Sequence, residues 1–301
     1  MYYKNSGRFS LGGLLIGAAL GTAASVVLAW AYARGIILIP EARAAIAATI
    51  FFGALIGVAT AYGLIWGKVR NEAVYLTVTG IVSTIALYFS WAIWVDATLH
   101  QQKIPGNYTW TSLAQRPGAL WDLVCLINKY GTWGLEKGSA TNGLGLWLIW
   151  GLEAAIVIGI AMALSIGVLH RHAFCEACNL WCKRGARIVL APPQSVAQLK
   201  LQLEANDMKG LEGLAPGNKS ANHLKIDLDS CPQCCQFHTM SLTYTGIQRS
   251  KWGKQTMDSK TLMQHLVVGP GHADILKQLS EKVKQAAKIA PPKANAAGAG
   301  K

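Results

Sequence analysis

Long hydrophobic runs dominate the first half of the chain and give way to alternating and mixed patterns after residue 169. Four runs are long enough for a membrane-spanning helix, which needs about 20 apolar residues at about 1.5 Å rise per residue. Because backbone inside a bilayer must satisfy its own hydrogen bonds, these runs predict helices. The four predicted spans are Leu11–Tyr32, Ala44–Trp66, Ala73–Val95 and Leu144–Leu169.

The second half of the chain has the patterns of a small mixed domain. Leu224–Asp229 and Met240–Tyr244 alternate apolar and polar residues, which is typical of half-buried strands. Ser195–Ala205, Ser259–Leu266 and Pro270–Ala287 place apolar residues at helical spacing. We therefore predict a membrane all-α fold class with a four-helix bundle over residues 1–169, a small α+β domain over 170–288 and a disordered tail over 289–301, where Pro, Ala, Gly and Lys predominate.

The connection Asp96–Gly143 is the longest one between predicted spans. Its apolar residues after Pro117 predict a helix that either lies in the membrane surface or packs on the bundle as a lid. Cys125 falls on this helix, where a lone thiol is typical of inert apolar packing.

Composition and charge support a membrane protein. The chain is 52% hydrophobic and 14% charged, whereas soluble domains carry about 25% charged residues. This excludes a simple soluble enzyme, a disordered chain and a collagen-like repeat. Residues 1–169 and 170–301 carry formal charges of +4 and +9, which together make the total of +13.

The distribution of Lys and Arg predicts the orientation. These residues are concentrated before the first span, between the second and third spans, and after the fourth. Since positive residues favour the cytoplasmic side, we expect a multi-pass protein of the inner (plasma) membrane with both termini in the cytoplasm. The first run also has the basic start of a signal peptide, but a signal core is usually about 7–15 residues, and this run is longer.

Six of the seven cysteines follow the last predicted span and form two clusters. The first is Phe174-Cys175-Glu176-Ala177-Cys178-Asn179-Leu180-Trp181-Cys182, and the second is Ser230-Cys231-Pro232-Gln233-Cys234-Cys235. Each contains C-x-x-C, a spacing that lets two thiolates of one tight turn face a single ion. Two such pairs supply the four thiolates of a tetrahedral zinc site. We predict Cys175, Cys178, Cys231 and Cys234 as the ligands.

The backbone of each turn limits this choice. The residue after the second cysteine often needs a left-handed conformation, which glycine adopts freely and asparagine tolerates. Asn179 fits this requirement, but Cys235 fits it poorly. Cys235 is therefore either a strained spare thiol or the ligand in place of Cys234. Cys182 and four nearby histidines also compete as ligands: His170, His172, His223 and His238.

The two cysteine turns, the second between two strands, resemble the zinc-ribbon and rubredoxin-like class over about residues 174–246. The usual gap between turns is about 15–20 residues, whereas 52 residues separate Cys178 from Cys231 here. The F-C-E-x-C-x-x-W and C-P-x-C segments also look like those of uncharacterised bacterial membrane proteins. The resemblance implies a zinc-ribbon-like domain with a structural metal and no particular activity. We expect Zn²⁺ rather than iron, which a four-cysteine site also accepts.

Two features of the predicted spans are further candidates. Glu153 is an ionisable residue inside the fourth span, and such residues are functional candidates by default. If Trp147 and Trp150 lie in the interfacial belt, Glu153 lies near the headgroups instead. Small-residue rows are suited to close helix packing, either inside one monomer or in a homo-oligomer; they consist of Gly13, Gly17 and Gly21, and of Gly53 and Gly57.

These features support three functions. The first is a membrane-anchored zinc module that binds an unidentified protein partner or supports assembly without catalysis, and this one we favour. The second is a membrane thiol-disulfide oxidoreductase that uses the C-x-x-C cysteines. The third is a small channel or transporter that involves Glu153. A nucleic-acid partner is disfavoured because the positive charges are scattered and no basic stripe alternates with aromatics.

Overall fold

The computed structural model describes residues 1–39, 41–101, 108–131, 141–218, 220–249 and 255–289. The chain divides into two compact units. The helical unit is Ser6–Arg171, and the sheet unit combines Met1–Asn5 with the described residues from His172 onward.

Four long helices form the core of the helical unit. Each is long and apolar enough to cross a membrane, in agreement with the four predicted runs. The described part of the connection between the third and fourth contains two shorter helices. In chain order the six are α1 Leu11–Ile37, α2 Ala42–Trp66, α3 Glu72–Gln101, α4 Trp110–Ala114, α5 Pro117–Tyr130 and α6 Gly143–Leu169.

The glycine rows lie where helix backbones approach most closely. Gly13 of α1 faces Gly67, the residue that follows α2, and Gly17 of α1 faces Gly63 of α2. Gly53 and Gly57 of α2 face Val157 and Ala161 of α6. Both glycine rows therefore pack against segments of the same chain, as expected if they serve close packing inside one monomer. A homo-oligomer through these glycines stays a prediction.

The connection after α3 folds back onto the bundle. Leu113 of α4 and Leu120 and Val124 of α5 are buried against Val95 and Leu99 of α3. Pro117 is the first residue of α5, where its missing N–H costs no hydrogen bond. This packing corresponds to a lid on the bundle. The predicted connection also includes residues 102–107 and 132–140, which lie outside the described residues.

The sheet unit contains a small hairpin and a four-stranded antiparallel sheet of order β3-β4-β5-β6. The predicted strands and the predicted helix near residue 200 are confirmed, whereas β3 was missed. In chain order the elements are β1 Phe174–Cys175, β2 Leu180–Trp181, β3 Lys183–Leu190, α7 Val196–Glu204, α8 Lys209–Glu212, β4 His223–Ser230, β5 His238–Arg249, β6 Gln255–Val268 and α9 Pro270–Ile289.

The hydrophobic core of this unit lies between the sheet and its helices. Alternate residues Leu224, Ile226 and Leu228 of β4 are fully buried with Leu203 of α7 and Leu276 of α9. Because side chains alternate across a strand, the intervening Asp227 and Asp229 belong to the other face of the sheet. There Asp227 pairs with Arg187 at 2.6 Å. One face of the sheet is therefore apolar, and the other carries charged pairs.

The prediction of a helix over Ser259–Leu266 is wrong, because these residues lie within strand β6. Leu242 pairs with Met263, and Met240 pairs with Leu266, so three steps on β6 match two on β5. This β-bulge, where His265 has a φ of 53°, breaks the two-residue period. Apolar residues three apart therefore lie on one face of a strand and mimic helical spacing.

The first residues of the chain belong to the sheet unit, although the sequence placed them with the spans. Tyr2 forms an antiparallel bridge with Leu266. The amide of Tyr3 donates to the carbonyl of His265 at 2.9 Å, and the amide of Val267 donates to that of Met1 at 2.9 Å. Met1–Tyr3 thus extends the sheet beyond β6. The predicted tail lies outside the described residues from 290 onward.

Substituting Gly57 by Ala should destabilise the helical unit. The added Cβ would lie 2.4 Å from the carbonyl oxygen of Ala161 and 2.8 Å from its Cα. Because backbone must move, we expect a cost of about 1–3 kcal/mol. Thermal unfolding in detergent, followed by circular dichroism, measures it. Gly159→Ala is the matched control, since nothing lies within 4 Å of its added Cβ; equal melting temperatures for the two variants would contradict the packing.

Candidate metal centre

The first cysteine turn is a tight hairpin. Phe174 pairs with Trp181, and Cys175 pairs with Leu180, so four residues form the turn between the two short strands. Asn179 has a φ of 54°, as the sequence predicts. The amide of Cys178 donates to the sulfur of Cys175. The turn therefore presents Cys175 and Cys178 together and stabilises negative charge on one of them.

The second turn connects β4 to β5. The amide of Cys231 donates to the carbonyl of Phe237 at 3.0 Å, which closes the loop. Cys235 has a φ of 50°, so it adopts the left-handed conformation despite its side chain. The amides of Gln236 and Phe237 donate to the sulfur of Cys234. Each turn thus has the same design, with a left-handed residue after the second cysteine and amides directed at a sulfur.

The pairing of β3 with β4 brings the two turns to the same place. Lys183 lies opposite Ser230. The first turn therefore ends, and the second begins, at the same end of the sheet. Four sulfur atoms lie within 4.8 Å of one another, those of Cys175, Cys178, Cys231 and Cys234. These are the four residues that the sequence selects as ligands.

The geometry fits a tetrahedral metal ion. A Zn–S distance of about 2.3 Å implies sulfur–sulfur distances of about 3.8 Å along each edge of a tetrahedron. The Cys175 and Cys234 sulfurs lie 3.8 Å apart. All seven cysteines lie in described segments, and each is a free thiol. Four thiols at this spacing could hold a metal ion, and the four protein ligands would leave no coordination position for a substrate.

The thiols of the cluster differ in acidity. Burial raises the pKa of Cys175, and it raises the pKa of Cys178 to about 12. The amides of Gln236 and Phe237 lower the pKa of Cys234 to about 6. Without a metal, Cys234 is therefore the thiolate of the group, because two fixed N–H donors stabilise its charge.

The two alternative ligands lie outside the four-sulfur group. Cys182 is buried beside Cys175 and Cys231 in the same apolar cluster, and burial raises its pKa to about 12. Cys235 is exposed. Cys235 is the left-handed residue that ends the second turn. The sulfur that joins the other three is therefore that of the preceding residue, Cys234.

Two other residues support the second turn. His238 is 1% exposed; its Nε2 lies 2.9 Å from the carbonyl oxygen of Cys235, and its Nδ1 lies 2.7 Å from Ser230 Oγ. With Nε2 protonated, the ring donates to the turn and accepts from Ser230. Tyr3 packs edge-on against Phe237 with centroids 5.8 Å apart. The sequence offered His238 as a competing ligand, but its ring instead bonds the backbone of the turn.

Glu153, the ionisable candidate that the sequence places in the fourth predicted span, belongs to the helical unit. Its Oε1 accepts a hydrogen bond from the Tyr32 hydroxyl at 2.5 Å. That hydroxyl also lies 2.9 Å from Thr49 Oγ1. Tyr32 and Thr49 were not identified from the sequence, because single polar groups on apolar helices show no periodic signal.

Comparisons with protein-family models, with curated proteins and with solved structures find no match for this chain. The four-cysteine cluster is consistent with the zinc-ribbon-like class that the sequence resembles.

After chelation of any metal, Cys234 should be the first cluster thiol to be alkylated at pH 7. Its lowered pKa of about 6 keeps it mostly as thiolate, whereas Cys178, with a pKa of about 12, stays protonated. Its reaction with iodoacetamide should slow as the pH falls through 6. Peptide mapping by mass spectrometry measures both rates. Faster alkylation of Cys178 than of Cys234 would contradict the role of the amides.

Proposed function

We propose that the chain is an integral membrane protein whose polar domain is held together by one structural Zn²⁺ and serves as a binding or assembly module without catalysis. The observation that carries this proposal is the convergence of four cysteine sulfurs within 4.8 Å. A closed site of four thiolates has no open position for a reactant, which is the usual arrangement of a structural metal.

Zinc accounts for the buried cysteines better than thiol exchange does. Each C-x-x-C motif contains one buried thiol, because Cys175 and Cys231 are 3% and 1% exposed, and a buried thiol is a poor nucleophile toward a substrate disulfide. Amides directed at sulfur offset the charge of four thiolates around a divalent ion. A zinc site of this kind contributes about 10–16 kcal/mol, which is comparable to the whole stability of a domain, about 5–15 kcal/mol.

The proposed membrane is the inner (plasma) membrane, with both termini in the cytoplasm. The four long apolar helices support insertion, and the bilayer is then the first partner of the chain. Met1–Tyr3 pairs with β6, which follows the fourth helix. Such pairing requires an even number of crossings between the two segments. The Lys and Arg bias then favours the cytoplasmic side for both, where thiols stay reduced and available to zinc.

Metal analysis of the purified full-length protein should find one zinc per chain. Cys234→Ser should lower the zinc content severalfold, because it removes one of four thiolates. Cys235→Ser is the matched control, since the adjacent residue is exposed and outside the group. We expect it to keep its zinc. Absence of a stoichiometric metal from the parent protein would refute the proposal. Stoichiometric iron, seen by its visible absorption, would show that the structural metal is iron and not zinc.

Thiol labelling of intact cells should locate the sheet unit. Cys235 is exposed, so a membrane-impermeant maleimide should label it only after the cells are permeabilised. Ala119→Cys, at an exposed position of α5, reports the opposite side in a background with Cys125→Ser and Cys235→Ser and should be labelled without permeabilisation. Labelling of Cys235 in intact cells would reverse the orientation and restore the oxidoreductase alternative.

A further inference from the structure

A cavity of about 290 Å³ lies inside the helical unit. All four long helices line it, at the end of the bundle where α1 and α3 end and α2 and α6 begin. Ligand pockets are usually about 300–1,000 Å³, so this cavity suits a small molecule. It is separate from the cysteine cluster, and nothing in the proposed zinc site accounts for it.

One acid lines this cavity. Glu153 projects from α6, and its Oε1 is fixed by the Tyr32 hydroxyl at 2.5 Å. Among the described residues, Oε2 has no hydrogen-bond partner. Holding a carboxylate among apolar helices is costly, and a fixed carboxylate with one free oxygen is prepared to accept a charged donor.

Aromatic rings form another part of the lining. Trp91 and Trp94 of α3 and Trp150 of α6 line the cavity. The rings of Trp91 and Trp150 meet edge to face with centroids 4.8 Å apart, so their positions are set by mutual packing. Tryptophan faces attract cations through their quadrupole. The lining therefore combines two features that favour positive charge.

No basic residue from the described segments lines the cavity. Arg34, two residues after Tyr32, instead lies 3.6 Å from the carboxylate of Asp96. Glu153 thus has no cationic partner from this part of the chain. An anion would be repelled, and a neutral molecule could offer Oε2 at most an uncharged donor, which forms a weaker interaction with a carboxylate than an ammonium group does.

We propose that this cavity binds a small lipophilic ammonium ion, whose positive nitrogen pairs with Glu153 while its hydrocarbon body lies among the tryptophans. The ammonium group donates to Oε2, and the aromatic faces stabilise the same charge. The apolar wall, which includes Ile46 and Ile156, contacts the body of the ligand. This ligand site is independent of the zinc domain.

The test compares two probes of equal size. The full-length protein, in nanodiscs of zwitterionic phosphatidylcholine, is titrated with 4-phenylbutylammonium and with the uncharged 4-phenylbutan-1-ol. Quenching of tryptophan fluorescence reports binding, with empty nanodiscs subtracted. We expect saturable binding of the amine that is about tenfold tighter than that of the alcohol, because only the ammonium group forms an ion pair with the carboxylate.

Two variants assign this preference to the carboxylate. Glu153→Gln should remove the preference for the amine and leave binding of the alcohol unchanged, which also shows that the cavity is intact. Glu72→Gln is the control, because Glu72 is an exposed carboxylate of α3 that pairs with His170; it should bind like the parent.

Three results would overturn the proposal. One is equal affinity of the parent for both probes, which would make the cavity a slot for acyl chains. Another is the absence of saturable binding of the amine. The third is a preference for the amine that persists in Glu153→Gln. The comparison in the parent alone decides the matter if that variant fails to fold.

Discussion

Antiparallel pairing of β3 with β4 is the constraint on which the cysteine cluster depends. The two cysteine turns are separated by 52 residues, and the described chain between them includes two helices and three strands. Because Lys183 lies opposite Ser230, the residues just outside this pair, Cys182 and Cys231, leave the sheet at the same end. A slip of one residue would also turn the apolar face of β4 toward solvent. Core packing and sulfur placement therefore enforce the same register.

The two units solve their packing problems by different physical means. The helical unit gains close contact from small residues, where Gly57 lets α2 approach Ala161 of α6 to van der Waals distance. The sheet unit has helices on one face and relies on apolar burial there. At the end of the sheet unit that carries the two cysteine turns, the described residues form only a small apolar cluster. Buried cysteine side chains, and backbone amides that donate to sulfur, stabilise the structure there. A bound ion would connect segments that share few apolar contacts.

The sequence predicts the features that depend on composition and local geometry. Apolar runs identify the long helices because an uninterrupted apolar stretch of about 20 residues is typical of a membrane-spanning helix, and C-x-x-C identifies the turns because the short spacing limits their shape. Features that arise from long-range pairing are not readable in this way. β3 carries Lys183, Arg184 and Arg187 and looks like a charged linker, yet it is a strand because its backbone pairs with β4 and its alternate residues Ile188 and Leu190 are buried in the core. The bulge near His265 disguises another strand, and the role of Tyr32 depends on a helix far along the chain.

The pairing of Met1–Tyr3 with β6 also has a consequence for biosynthesis. These residues are synthesised before the four long helices, whereas Leu266 and Val267, with which they pair, are synthesised after them. Contacts between distant parts of a chain form slowly because a large loop must close first. Met1–Tyr3 must therefore wait until the four long hydrophobic helices have been synthesised before its strand partner exists. Completion of the sheet is therefore a late step of folding, which follows the synthesis of all four long helices.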